Sequence, residues 1–238
     1  MLACAGVCDA VYSLYCWGCF CVFIYIYFVD FYGWGVVVFW LMRIGVSVLF
    51  LFAMVLGLEA RAADPRIVVS VTDQKMILLR DGSVVGRFPV STSKFGLGDS
   101  LGSYATPTGL LAVAEKIGAR AVEGAVFKKR CLTGEVLAPN APGRDPIVTR
   151  ILWLRGMESQ NANCFKRCIY IHGTPEERLL GQPVSWGCIR MRSRDVVKIF
   201  ESVGVGTQVE ILEKPIKQVL REQVTMSWLA RNFQNLDN

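Results

Sequence analysis

The chain contains a single histidine. His172 stands in the run CIYIHG (168–173), sixteen residues ahead of Cys188 in SWGCIRM (185–191). A free thiol titrates near ~8.5, so only a small fraction is nucleophilic thiolate at neutral pH. A neighbouring imidazole can take the proton, and the cation of Arg190 favours the anion left behind. Lowering the thiol pKa by about two requires roughly 2.7 kcal/mol, the scale of one close ion pair. Gly187 leaves the backbone bare beside the sulfur, where an N–H could hold a developing oxyanion. Gly173 would let a substrate approach the base. These residue types could serve nucleophilic catalysis by a cysteine.

The two runs must be strands for this grouping to form. In CIYIHG, alternation sends Cys168, Tyr170 and His172 to one face and Ile169 and Ile171 to the other. In SWGCIRM the same rule puts Trp186, Cys188 and Arg190 together. Two adjacent strands would then present His172 and Cys188 to each other beside a cation. The polar connection TPEERLLGQPV (174–184) is short enough to close the pair at the surface.

Strand signals also precede and follow. RIVVSV (66–71) and KMILLR (75–80) are aliphatic runs, and Asp81-Gly82 turns the chain into VVGRFPV (84–90) as a hairpin. The Gly/Ser-rich stretch 92–105 reads as a mobile loop, because its spacing fits no phosphate-binding loop. Thr-Pro-Thr-Gly (106–109) opens the strand 110–117. Residues 118–146 show little periodicity and read as an insertion, or lid, over one sheet face. Strands resume at 146–156. Ser193 caps a helix over 195–203, with Asp195 in its first turn where the macrodipole favours an anion. TQVEIL (207–212) is a last strand, and 215–238 an amphipathic helical tail. The expected fold is mainly β, a sandwich-like domain with one or two helices.

HGT, an interval, and S-x-G-C-I-R-M together resemble the L,D-transpeptidase catalytic domain (YkuD-type fold) of bacterial cell-wall enzymes. The resemblance extends over roughly residues 66–212. It includes the V-x-x-Q-K-M-I-L-L strand pair, the T-P-T-G loop and the closing G-T-x-V-E-I. It implies a cysteine acyltransferase acting on peptidoglycan stem peptides without metal or organic cofactor. Cys188 would be the nucleophile and His172 the general base. Ser185, Gly187 and Arg190 would complete the site, and Gly173 would line it. The family usually has a histidine directly before Gly-Cys, where this chain has Trp186, and an indole cannot carry a proton. The acyl acceptor stays open: a neighbouring stem, water, or an envelope protein. So does a catalytically silent wall-binding module.

Each residue taken singly has a plainer reading. Cys188 could be a small buried apolar residue, His172 a structural histidine, Arg190 a surface cation and Tyr170 packing; their joint occurrence in the motif favours catalysis. Cys164, Cys168 and His172 form C-x3-C-x3-H, with Cys188 available as a fourth ligand. That spacing is atypical of structural zinc, and no metal site is expected.

The hydrophobic fraction of 53% is concentrated in residues 1–62. Met42-Arg43, the apolar run 44–58 and Ala-Arg-Ala (60–62) read as a signal peptide. Residues 1–41 have two readings: a membrane helix over 10–29 that tethers the protein, or a translation upstream of a natural start at Met42. The second is favoured, because two consecutive spans would return the domain to the side on which the N-terminus began. The catalytic domain is then 63–214, in the periplasm or cell envelope. Past residue 62 the net charge is about +7 by simple counting, suited to an anionic envelope polymer. No recognition motif supports nucleic acid, and a monomer is expected. Among Cys131, Cys164 and Cys168 a disulfide is permitted but not specified.

Overall fold

The computed structural model describes residues 64–234. The readings of the membrane or untranslated segment 1–41 and the signal peptide 42–62 lie outside the described residues. Among those described, no helix is long and apolar enough to cross a membrane.

β1 (Arg66–Ser70) pairs antiparallel with β2 (Lys75–Arg80), which pairs with β3 (Ser83–Pro89). Asp81 and Gly82 at the β2–β3 turn have φ of 52° and 72°, the left-handed pair that a two-residue hairpin requires. On its other side β1 runs parallel to β10 (Gln208–Leu212), which pairs with β4 (Gly109–Ile117). β4 pairs with the ten-residue β7 (Ile147–Gly156). There the sheet branches. β7 takes on β5 (Ala125–Lys128), which pairs with β6 (Cys131–Val136), and also β8 (Tyr170–Gly173), which runs parallel to β9 (Ile189–Met191). The domain is mainly β sheet with two helices, α1 (Ser193–Ser202) and α2 (Ile216–Gln234).

Burial explains which strands alternate. In β1, Ile67 and Val69 face a core closed by Val196, Ile199 and Phe200 of α1, while Val68 faces Ile216 and Val219 of α2. With both faces covered, the strand is continuously apolar. Ile216 and Val219 thus seat the start of α2 on the sheet, and the Ile216 N–H donates to Asp73 at 2.8 Å. In β8, Ile171 faces the α1 core and Tyr170 a second cluster with Phe127, Ile151 and Trp153.

Several boundaries differ from the sequence reading. Residues 118–146 are not a structureless insertion: they supply β5 and β6, which extend the sheet. All six residues of β6 are exposed, so no hydrophobic alternation marks it. The strand expected at 168–173 begins at Tyr170, because Cys168 has φ 58°. That expected at 185–191 begins at Ile189, because Gly187 has φ 113°. Ser193 is not the cap of α1 but its first residue, following an extended Arg192. The Ser193 N–H instead donates to the Glu177 carboxylate at 2.9 Å, so an anion from another element serves the helix N-terminus.

The Gly/Ser-rich loop is stapled rather than loose. Asp99 forms a buried ion pair with Arg167 at 2.7 Å, and Arg167 also donates to the carbonyls of Gly98 and Ala105. The Asn163 N–H donates to Asp99 at 2.6 Å.

Candidate active site

The parallel ladder of β8 and β9 sets His172 opposite Arg190 and Ile171 opposite Ile189. Ile171, Ile189 and Met191 enter the α1 core, while Tyr170 and Cys188 belong to the cluster on the opposite side. Pleating therefore puts Tyr170, His172, Cys188 and Arg190 on one side of the strand pair. The sulfur is held where it touches the first residue of β8. The Tyr170 N–H points at Cys188 Sγ at 3.4 Å, and Sγ lies 3.5 Å from the Cys168 carbonyl.

His172 is buried, and its Nδ1 lies 2.8 Å from the carbonyl of Gly173. A carbonyl only accepts, so Nδ1 carries the proton and Nε2 is left with a free lone pair, the tautomer a general base needs. The imidazole pKa is lowered to about 4, chiefly by burial; the Gly173 carbonyl opposes the change, Arg190 adds to it, and Asp145 opposes it. At neutral pH the ring is uncharged.

Arg190 does not act as a bare cation. Its guanidinium forms an ion pair with Asp145, whose other oxygen accepts from the Thr174 hydroxyl. Asp145 is a site residue that the sequence reading passed over, at the end of the supposed insertion and just ahead of β7. The pairing bears on the thiol. Burial raises Cys188 to about 11, against the lowering effects of the Tyr170 N–H, Arg190 and Arg167. The expectation of a depressed thiol pKa is thus corrected: desolvation outweighs cations already neutralised by carboxylates.

The turn ahead of the nucleophile has its own scaffold. Ser185 is buried, with its hydroxyl donating to the Cys188 carbonyl at 2.6 Å and accepting from the Gly187 N–H at 3.2 Å. The N–H of Gly187 is thereby engaged inward, not aimed at an oxyanion. The Gly187 carbonyl accepts from the Thr106 hydroxyl at 3.0 Å, which gives the T-P-T-G loop a role beneath the nucleophile. Gly187 is required on two grounds: its φ is positive, and a Cβ would lie 3.1 Å from the Ala105 carbonyl oxygen. Gly173 is likewise a packing glycine, since a Cβ there would meet the Val148 carbonyl oxygen at 2.7 Å. It faces β7 rather than an incoming substrate.

Trp186 parts from the expected alternation, because the Gly187 turn takes it off the strand. It is 54% exposed and packs against Phe95 and Tyr104, with ring centroids 5.0 and 5.3 Å away. Lys94 Nζ stands 4.5 Å over its ring. Cys164 is buried in the α1 core, while Cys168 and Cys188 pack against the other cluster. All four cysteines of the described region are free thiols.

A mainly β domain that carries a thiol and a neutral imidazole on one side of a strand pair is a scaffold suited to acyl transfer. Residues 64–211 match the L,D-transpeptidase catalytic domain (YkuD), and the chain belongs to that family. It is similar to the Bacillus subtilis (strain 168) L,D-transpeptidase-family protein YqjB, at 30% identity over 158 residues, 66% of this chain and 77% of that one. The Escherichia coli (strain K12) family member ErfK/SrfK is 45% identical over 51 residues, 21% of this chain and 16% of its own. A solved L,D-transpeptidase from Mycobacterium tuberculosis H37Rv is 19% identical with a TM-score of 0.41, over 63% of this chain and 58% of that one. The last two matches span less than two thirds of the other protein.

Proposed function

We propose that this protein is a peptidoglycan L,D-transpeptidase working through a thioester on Cys188. The observation that carries the reading is the shared face of β8 and β9, on which a neutral His172 with free Nε2 accompanies the sulfur. The resting pair is uncharged, thiol beside imidazole, because burial disfavours both ions. Deprotonation accompanies attack: Nε2 takes the thiol proton as sulfur bonds the carbonyl carbon of the third, L-centre diamino acid of a tetrapeptide stem. The Tyr170 N–H steadies the charge on sulfur meanwhile. The tetrahedral intermediate then expels D-alanine, whose nitrogen takes the proton from Nε2. In the second half, an amine of a neighbouring stem gives its proton to Nε2 and attacks the thioester, and the departing sulfur takes that proton from Nε2 to regenerate the thiol. Atoms and charge balance over the cycle.

The domain acts on the exported side of the membrane, delivered by the signal segment 42–62, with the cell-wall polymer as its partner. Peptidoglycan is where the stem peptides lie, and the chain's net charge of +6 suits an anionic envelope. The test is incubation with tetrapeptide-bearing muropeptides, with products read by mass. Dimers are expected. Tripeptides alone would make the protein an L,D-carboxypeptidase, transfer to a protein amine an anchoring enzyme, and no change a silent module. Cys188→Ala must abolish the product.

A further inference from the structure

The β5–β6 turn consists of Lys129 and Arg130, with φ of 50° and 67°. A two-residue turn of this kind favours Asn-Gly, and non-glycine residues in the left-handed region cost roughly 1–2 kcal/mol each. Strain of this sort persists where the surroundings hold it in place. Here the surroundings are the catalytic face. The Arg130 guanidinium lies 4.4 Å over the Trp153 ring, and its Nη1 donates to the Tyr170 hydroxyl at 3.3 Å and approaches Cys168 Sγ at 3.8 Å. Trp153 is braced from behind by Phe165, stacked at 4.1 Å and 9°. Tyr170 is the residue whose N–H holds the nucleophilic sulfur, so the hairpin tip is fastened to the residue that holds the thiol.

Arg130 differs from the two arginines whose charge acts on the Cys188 thiol. Arg167 is neutralised by Asp99 and Arg190 by Asp145. Arg130 forms no ion pair among the described residues, and its Nε and Nη2 donate no hydrogen bond there. It is an exposed, fixed guanidinium with open donors, joined by Lys128 and Lys129 at the tip. A planar fork held in place loses little entropy on binding, and it matches a carboxylate.

We propose that Arg130 is a specificity residue that binds a free carboxylate of the acyl-donor peptide, close to the scissile bond. This inference rests on the function proposed above. A tetrapeptide stem carries two candidate sources near the attacked carbonyl: the terminal carboxylate of the departing D-alanine, and a carboxylate on the diamino acid side chain. They present the same chemistry to the guanidinium and differ in which amide would destroy it.

The test measures binding to the full-length Cys188→Ala protein by calorimetry, alongside turnover by the active enzyme. It uses the free-acid tetrapeptide, its C-terminal amide and its side-chain amide. Arg130→Gln should weaken binding and raise KM for the free acid by roughly 10- to 100-fold, with kcat little changed. Arg130→Lys should recover part of the loss. One amide should bind the parent protein as weakly as the free acid binds Arg130→Gln, and should be indifferent to the substitution; that amide identifies the carboxylate. Equal weakening of all three peptides by Arg130→Gln, or no weakening of any, overturns the assignment while leaving the acyltransferase reading intact. If the unsubstituted enzyme turns over none of the peptides, the function proposed above fails, and this inference with it.

Discussion

Arg190 and Asp145 form an ion pair at the edge of the site, and Asp145 also accepts from Thr174. The pair decides what the arginine can do. A guanidinium already neutralised offers the thiolate little, so burial sets the state of Cys188. Its side chains are only 11% and 14% exposed, which makes the pair costly to break from one side. Asp145→Asn should destabilise the protein by about 3–5 kcal/mol in denaturant unfolding. It should also lower the Cys188 pKa, because Arg190 would then act uncompensated. The His172 pKa should fall too, since Asp145 raises it. A thiol titration unmoved by the substitution would count against this account.

The thiol itself should titrate late. The difference in 240 nm absorbance between the parent protein and Cys188→Ser isolates this sulfur from the other cysteines. Its midpoint is expected near pH 11. The raised pKa contributes stability that is fully present below the ordinary thiol value and is lost as pH climbs through 11. A midpoint below 8 would mean that Arg190 and the Tyr170 N–H overcome desolvation, and that the resting nucleophile is a thiolate.

His172 gives the opposite limb. Its folded pKa of about 4 lies below the unfolded value of 6.5, so between these values the unfolded chain binds more protons. Stability from this group is present above pH 6.5 and lost as pH falls through 4, a loss of about 3 kcal/mol. His172→Gln cannot titrate, so the difference in unfolding free energy between parent and variant should carry this slope between pH 6.5 and 4. The acid limb of Cys188 acylation should fall near 4 as well. A limb near 6.5 would show the imidazole to be solvated.

The sequence made legible those features that rest on local rules. Asp81-Gly82 announces its hairpin, and two-residue alternation puts Tyr170 and His172 on one side of β8, in register with Arg190 of β9. What it hid depends on residues brought from afar. Asp145 reaches Arg190 across 45 positions, and nothing around Asp145-Pro146 marks it as a partner. β6 lies exposed at the sheet edge with no apolar rhythm, and its turn uses Lys129 and Arg130 where Asn-Gly would have been readable. Trp186 misled the alternation because Gly187, read as bare backbone for an oxyanion, is instead the residue that turns the chain. The thiol pKa escaped for a related reason: desolvation is a property of the packed cluster around Tyr170, and no spacing encodes it.

Ser185 offers the sharpest separation of scaffold from chemistry. Its hydroxyl joins the Gly187 N–H to the Cys188 carbonyl, at 3.2 and 2.6 Å, and no contact runs from it to the sulfur. Ser185→Ala leaves both backbone groups without that partner in a buried place, at a cost of about 1–3 kcal/mol. The turn that presents Cys188 should loosen, so acylation by a carbapenem-type donor should slow. The thiol midpoint should move little, because Ser185 is not among the groups that set it. Ser185→Thr keeps the hydroxyl but adds a methyl where the residue is fully buried, so it should retain more stability than Ser185→Ala only if the turn can make room. Slowed acylation with unchanged thiol titration marks Ser185 as a positioning residue. A titration midpoint that shifts together with the rate would instead tie its hydroxyl to the sulfur's charge and break that assignment.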